Sequence, residues 1–404
     1  MGDYNKIRTQ KIFMTSTTSK IVVVIAGVVL RILVFTHLTW NAVDYVSHKI
    51  DFSTPLSNYA RLVEGVFRLN NGLDPYSDDY VHVNPILISL LRNLISDRVQ
   101  MFVLAVALDS VSTIVMMNIS HAFSFLAGVT FFFNPFTIMS PVSLTIQGFN
   151  VLTAVCLLLA VDRKKSASLC ALLIAVHAIL NPISSFCLVL PLSVAISHPI
   201  RDVALRTFIW YALLHCLSYF ATGGSLSYFY ATVVSPLMVS NDTLPNFGLT
   251  WNIFTVMFEK HMDLFRLFFG TFQILVFVPT YIRFSSIAYT EETKQRYFVL
   301  MMCAILLFQP YPTALDFSLV IALVLATDET LFHNMLSRFL PLVMFAVMVL
   351  SSVMSVVYVE RNQGSPSFLF NINAISVIAG ALSIANGLKV ARLDGYVPKE
   401  KKKD

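Results

Sequence analysis

Residues 40–98 read WNAVDYVSHKIDFSTPLSNYARLVEGVFRLNNGLDPYSDDYVHVNPILISLLRNLISDR. They form the long polar passage in the first half of a chain that is otherwise almost continuously apolar. Of 404 residues, 56% are hydrophobic and 13% charged, and the mean hydropathy is +0.71. A soluble protein of this length carries about a quarter charged residues, and so little polar surface cannot cover so large an apolar core. The solvent this composition fits is a bilayer. Backbone groups there must be satisfied internally, which leaves helices or a closed barrel. Apolar runs of helical length, rather than short alternating strands, select helices. The sequence predicts an all-α polytopic membrane protein, one integral domain over residues 1–404, with 40–98 as its first external loop.

The loop itself reads as structured. Tyr59, Leu62, Val63 and Val66 recur at helical spacing, and Asn58, Arg61, Glu64 and Arg68 share the other face. Glu64 and Arg68 stand in the favourable i,i+4 order. Asn71-Gly72 suits a helix C-terminus because both residues tolerate positive φ. Asn84 before Pro85 opens a second helix, whose Leu87, Leu90, Leu91 and Leu94 face lipid or protein. Amphipathic helices of this kind lie in the interface rather than cross it.

Outward from the loop, basic residues set the orientation. Lys6, Arg8, Lys11 and Lys20 precede the apolar run Ile21–Leu38, which has no small-residue cleavage site after it and reads as a first span. The positive-inside rule puts the N-terminus in the cytosol and the loop on the luminal side. Val99–Ile119, His121–Phe133, Phe136–Val161, Ala167–Ile179, Ile183–Ile196, Phe208–Phe220, Leu264–Phe284, Tyr297–Phe308, Thr313–Thr327, Leu340–Tyr358 and Phe368–Leu388 follow. That makes about twelve membrane segments, with both termini cytosolic. Several are shorter than the ~20 residues an isolated span needs. They pair across Asn134-Pro135, Asn181-Pro182 and Gln309-Pro310-Tyr311-Pro312, where irregular backbone shielded by other helices is expected. A second luminal region covers 222–262 and carries the glycosylation sequon at Asn241. Residues 389–404 form a basic cytosolic tail.

The five cysteines lie in apolar stretches and read as buried thiols rather than a disulfide framework. The net charge of +5 is modest, and the basic residues sit at segment ends, where they orient a membrane protein rather than bind nucleic acid. The chain has no His-x-x-x-His, Cys-x-x-Cys, Gly-x-Ser-x-Gly or phosphate loop, so no metal site, no cofactor and no catalytic residue is expected. Arg31, Asp109 and Asp316 lie within or beside apolar runs. They either contact a polar ligand or one another inside the bundle, or snorkel and pair structurally. The aromatic series Trp251, Phe254, Phe258, Phe265, Phe268, Phe269, Phe272 and Phe277, with Gln273 as an isolated polar group, is either an interface belt or a wall for acyl chains.

Four groups of residues, in order, carry a family resemblance. They are Val63-Glu64-Gly65 with Gly72-x-x-Pro75-Tyr76-Ser77 and His82-x-x-Pro85; Phe133-Asn134-Pro135-Phe136-Thr137-Ile138; Pro245-Asn246-x-Gly248-Leu249-x-Trp251 with Met257-Phe258-Glu259 and Phe272-Gln273-Ile274-x-Val276-Phe277; and Tyr311-Pro312-Thr313 with Asp316. Spread over about residues 54–325, they resemble the class U subunit (PIG-U) of the glycosylphosphatidylinositol (GPI) transamidase.

The resemblance implies a multi-pass endoplasmic-reticulum protein partnered with the caspase-like catalytic subunit and the other transamidase subunits. It implies a subunit that binds or presents GPI, or contacts the attachment signal, without performing bond chemistry. Asn246, Trp251, Phe272, Gln273, Phe277 and Asp316 are the candidate GPI or lipid contacts. Glu64, Pro75, Tyr76, His82 and Pro85 form the luminal platform, and Lys401 and Lys402 look like a dilysine retrieval signal. The same loop also resembles GPI mannosyltransferases, with a glycosyltransferase-C-like scaffold. Those enzymes place paired acids in the first luminal loop; here Asp44 stands alone and the equivalent stretch reads Asp51-Phe52-Ser53-Thr54-Pro55-Leu56-Ser57. The chain therefore reads as that scaffold without its catalytic pair. An active polyprenyl-phosphate-dependent mannosyltransferase is the alternative, and a lipid transporter a weaker one.

Overall fold

The computed structural model describes residues 17–78, 80–95, 97–120, 123–181, 184–237, 245–256, 260, 262–287, 289–327 and 335–394. Among these it is helical, with no strand. The first part comprises α1 (Thr17–His37), α2 (Trp40–Ser47), α3 (Tyr59–Asn70), α4 (Pro85–Leu91), α5 (Arg98–Met117), α6 (Ser124–Phe132) and α7 (Pro135–Met139). Then come α8 (Gln147–Asp162), α9 (Ala167–Leu180), α10 (Val189–Ala195), α11 (Ile200–Ala221), α12 (Thr250–Val256), α13 (Met262–Thr271), α14 (Ile274–Ser285), α15 (Glu291–Phe308), α16 (Ala314–Thr327), α17 (Met335–Ser355) and α18 (Pro366–Asp394).

The protein is a multi-pass membrane protein. Five helices among the described residues are long and apolar enough to cross a bilayer: α1, α5, α11, the second part of α17 with its extension to Glu360, and α18. The pair α6 and α7–Ser143, bent by 54° at Asn134, makes a sixth if counted as one span. The shorter apolar helices α8, α9, α14 and α16 lie among them.

Burial sorts these helices into two kinds. In α15, every side chain from Tyr297 to Leu307 is buried; in α16, every one from Ala314 to Val324. A helix that is apolar all round belongs in an interior, and these two pack on each other inside a surround of α6, α10, α17 and α18. Close approach is built in on one side: a Cβ on Gly380 of α18 would stand 2.9 Å from the Leu307 methyls. Small residues at such crossings let helices gain dispersion contacts that lipid tails cannot match. By contrast, only 11% of the apolar window of α1 and 17% of that of α11 is buried. Their outer faces, with Ile25, Leu33, Phe208, Leu213 and Phe220 exposed, have the character of lipid-facing surface.

The expected segment Phe136–Val161 is not one helix. After α7, the 3-10 turn Ser140–Ser143 leads to Leu144 at φ 57°, and α8 starts at Gln147. Pro141 has no N–H to give the Thr137 carbonyl, which accepts from Arg31 Nη2 at 3.3 Å instead, and Ile146 N donates across to Ser57 O at 3.3 Å. Leu264–Phe284 is likewise divided into α13 and α14 at Phe272-Gln273. The segment expected over Phe208–Phe220 starts earlier, at Ile200, carrying Arg201 and Arg206 in its first turns.

The first loop folds onto this frame. Asn58 caps α3, accepting from Arg61 N, and Asn84 caps α4, accepting from Ile86 N at 2.9 Å, with Pro85 in the first turn. Gly72 takes φ 68° just past α3. The helix is rotated from the expected facing. Leu62 and Val66 are buried, but Val63 is exposed and Arg61 is 8% exposed, donating to Tyr80 O at 3.1 Å beneath the Tyr80 ring. The reason is Gly65, which brings the α3 backbone against Val81 and Ile88. In α4, Leu87 and Leu91 are buried and Leu90 is exposed.

Candidate functional site

The helix breaks converge. Thr313 and Asp316 open α16 with a reciprocal cap: Thr313 N and Oγ1 each donate to Asp316 Oδ2 at 2.8 Å, and Asp316 N donates to Thr313 Oγ1 at 3.3 Å. This is the capping-box arrangement, which satisfies donors a helix N-terminus leaves orphaned. Gln147, first residue of α8, donates from Nε2 to both Asp316 oxygens at 2.9 Å. Asn150 donates to Gln147 Oε1 at 3.0 Å, and Thr153 lies 3.0 Å from His177 Nδ1. Asn181, at the end of α9, donates from its amide to Gln309 Oε1, at the end of α15. Asn134, at the bend between α6 and α7, donates to Ser318 Oγ of α16 at 3.0 Å. Asp316 and His177 are 0% exposed, and Asn134, Gln147, Asn150, Asn181 and Gln309 no more than 9%. In a bilayer an unsatisfied buried polar group costs several kcal/mol, so three interrupted helices are held by one another's amides and one carboxylate.

The first loop seals this frame. Asp51 O accepts from Ala314 N at 2.8 Å, the first amide of α16. Ser57 O takes the Ile146 N–H before α8, as above. The Asp51–Ser57 stretch thus supplies backbone acceptors to two broken helices. Its own carboxylate, on Asp51, is 3% exposed. Burial pushes the Asp51 carboxyl up to about 6, against the opposing pull of Lys49 and a Ser352 hydrogen bond.

The second region packs on the same breaks. Asn246 Oδ1 accepts from Gly248 N, and Asn246 O accepts from Asn373 Nδ2 at 2.9 Å. Gly248 lies so close to Pro310 that a Cβ there would meet Pro310 O at 2.9 Å. Thr250 Oγ1 donates to Pro310 O at 3.3 Å. Gln273, between α13 and α14, donates to Phe308 O at 2.7 Å, while its Oε1, buried, has no hydrogen-bond partner. Trp251 is 2% exposed with its indole N–H also unpaired, and its ring lies 6.2 Å from that of Tyr358. A buried indole N–H ordinarily finds a partner. Phe272 is half-buried, edge-on to Phe308 at 5.6 Å, and Phe277 is buried. The apolar surface left exposed on α13 is made by Leu264, Phe265 and Phe268, with Phe269 packing behind against Phe254.

The candidate residues therefore fall into two sets. Asn246 (through Gly248), Gln273 and Asp316 each pack at the α15–α16 break, with Phe272 in the turn before α14 and Phe277 on α14, while Trp251 stands to one side against Tyr358. The platform residues are elsewhere. Glu64 and Asp78 both accept from Arg68, at 2.7 Å and 2.5 Å, and the Arg68 hydrogen bonds hold the exposed Asp78 carboxyl down at about 2. Pro75 and Tyr76 are buried, with Tyr76 Oη donating to Val83 O at 2.7 Å. His82 Nδ1 bonds Ala231 O at 2.8 Å, tying the first loop to a π-helical turn over Tyr230–Val234. Asn241, Phe258, Lys401 and Lys402 lie outside the described residues.

Of the intramembrane charges, Arg31 and Asp109 face each other at 3.5 Å, fully buried, with Arg31 stacked 3.9 Å over Phe132. That pair locks α1 to α5 and α6, the structural-pairing reading. Gln147 and Asn150 were not singled out by the sequence, and Asn181, Gln309 and Thr313 entered only as parts of break or family motifs, not as polar contacts. The available signal was an amide at the edge of each apolar run, beside a proline or at a helix start.

Three or more metal-ligating side chains do not gather anywhere among the described residues. A family model described as GPI transamidase subunit PIG-U matches residues 25–375, which include every hydrogen bond and ion pair described above. The chain is 24% identical over 344 residues to the GPI transamidase component GAB1 of Saccharomyces cerevisiae, covering 83% of this chain and 85% of that one. It is 26% identical over 350 residues to the human GPI-anchor transamidase component PIGU, covering 75% and 77%. It is 22% identical over 374 residues to the GAB1 homolog of Schizosaccharomyces pombe, covering 88% and 89%.

Proposed function

Because this chain belongs to the GPI transamidase subunit PIG-U family, we propose that it is a non-catalytic membrane subunit of a GPI transamidase, binding or presenting GPI lipid, or the attachment signal, in the endoplasmic-reticulum membrane. The observation that carries this reading is the family match across residues 25–375, together with relatives named as components of the transamidase. A component works beside other subunits, and a caspase-like partner supplies the nucleophile in this proposal. Both termini face the cytosol, the first loop and residues 222–262 face the lumen, and the short helices complete about twelve membrane segments on a glycosyltransferase-C-like scaffold.

Two features support lipid handling. The exposed apolar face of Leu264, Phe265 and Phe268 suits acyl chains, and Phe272 leads from it toward the break. Gln273 Oε1, between α13 and α14, and Trp251 Nε1, on α12, are buried polar atoms with hydrogen-bonding capacity to spare. A lipid whose chains lie on the wall and whose hydroxyls reach these groups gains both terms. Asn246, Phe277 and Asp316 act from behind, holding the break in shape.

Affinity purification of the tagged full chain in a mild detergent tests the reading. The other transamidase subunits are expected to co-purify stoichiometrically. An intact transamidase complex that lacks the chain would refute it. The mannosyltransferase alternative rests on Asp44, which is engaged with Arg98 at 2.9 Å; an Asp44→Ala variant is expected to support normal GPI attachment.

A further inference from the structure

A cavity of about 140 Å³ opens where two membrane helices end, lined by Tyr45, His48, Lys49, Ile50, Val359 and Glu360. Tyr45, His48 and Lys49 come from α2 and its end; Val359 and Glu360 come from the π-helical turn Val356–Glu360 that extends α17. π-turns of this kind are rare and concentrate at functional sites. Around the cavity, Tyr45 Oη donates to Glu360 Oε1 and Oε2 at 2.8 Å and 2.7 Å, and Lys49 Nζ lies 2.8 Å from Glu360 Oε1. Lys49 Nζ also sits 4.6 Å from the Tyr45 ring centroid. The Lys49 ammonium therefore shows what this corner accepts: a primary ammonium held by a carboxylate and an aromatic face, the chemistry that favours cations.

The level of the cavity narrows the ligand. Glu360 is the last residue of one span, and Trp40 and Tyr45, both about half exposed, follow closely on the end of another. Exposed aromatic rings at span ends mark the headgroup layer. The walls carry both signs: Glu360 offers carboxylate oxygens, which accept up to about four hydrogen bonds, while Lys49 and His48 offer donors. Glu360 remains 36% exposed on its side chain, so an incoming ammonium can reach it.

We propose that this cavity binds a zwitterionic group made of a phosphate and a primary ammonium, the ammonium on Glu360 and Tyr45 and the phosphate on Lys49 and His48. The site is separate from the aromatic wall and does not depend on the transamidase reading. Two sources carry this chemistry: phosphatidylethanolamine of the bilayer, and a phosphoethanolamine group on a larger molecule.

The test uses the full chain in nanodiscs of phosphatidylcholine containing phosphatidylethanolamine, with the lipids that stay bound after detergent extraction measured by native mass spectrometry. Phosphatidylethanolamine is expected to be retained about three- to fivefold over its share in the disc, the scale of one partly exposed ion pair. Glu360→Gln is expected to abolish that preference, and Tyr45→Phe, which keeps the ring, to lower it partly. Each variant's melting temperature is measured alongside, so that loss of the fold is seen separately. Soluble phosphoethanolamine that displaces the lipid assigns the site to the headgroup alone; retention without displacement assigns it to the diacyl lipid. Equal retention of the two lipids by the native chain, or an undiminished preference in folded Glu360→Gln, overturns the proposal.

Discussion

The central hairpin α15–α16 and the outer helices α1 and α11 are made of the same kind of residue and solve opposite problems. The outer helices run 21 and 22 residues without a break, satisfy their own backbone, and leave most of their surface to lipid. The central helices are interrupted at Gln309-Pro310-Tyr311-Pro312, and their orphaned groups are answered by Asp316, Gln147, Asn181 and the first loop. Length makes a span autonomous, and a break makes it dependent on other segments. That dependence is where a membrane protein can place polar groups at depth without exposing them to lipid.

The comparison breaks most readily at Asp316. Asp316→Leu strips an acceptor from Gln147 Nε2 and from Thr313 N and Oγ1. At about 1–3 kcal/mol for each orphaned buried group, partly relieved by local repacking, a loss of ~3–5 kcal/mol is expected, read as a fall in the melting temperature of the detergent-purified chain. Asp316→Asn should recover part of it, since an amide still accepts.

Asp51 gives the next effect, and a pH signature. Burial pushes its carboxyl up to about 6 in the folded chain, above the ordinary aspartate value of about 4. A raised folded value means the folded state holds the proton more tightly, so the Asp51 contribution to stability is complete below pH ~4 and is lost as pH rises through about 6. About two units of difference amount to ~3 kcal/mol at most. Asp51→Asn should flatten that part of the stability–pH curve measured between pH 4 and 7.5.

Gly380 probes the tightness of the centre. Gly380→Val drives an isopropyl group into Leu307, and overpacking of this kind costs ~1–3 kcal/mol. The outer helices should hardly respond. Leu213→Ala on α11, 46% exposed, is expected to move the melting temperature by the equivalent of no more than ~0.5 kcal/mol. A large effect there would show that α11 is covered by another segment rather than by lipid.

The same contrast explains what the sequence disclosed. α1, α5 and α18 were legible within a few residues because uninterrupted hydropathy and flanking charge determine an autonomous span. The cap at Asn84 and the Glu64–Arg68 pair were legible because they are local, whereas Asn58, read as part of the polar face, proves to be the cap of α3. Gln147 was not, because its partner is 169 positions away and its segment, Phe136–Val161, reads as one apolar run. Leu144 gives no warning of its positive φ, since the turn there is imposed by Pro141 and by the Ser57 carbonyl rather than by a glycine. The rotation of α3 that buries Arg61 follows from Gly65 meeting Val81 and Ile88, a tertiary fit with no signature in the helix pattern. Of the candidate lipid contacts, the aromatic series was visible as composition, but which rings face outward depended on the division between α13 and α14.

The central claim, a transamidase subunit that does no bond chemistry, is tested most directly by depleting the chain from cells and identifying the lipid and protein that accumulate. The account predicts complete GPI lipid together with proproteins still carrying their attachment signal. Accumulation of a GPI precursor short of a mannose would contradict it and make the chain a mannosyltransferase.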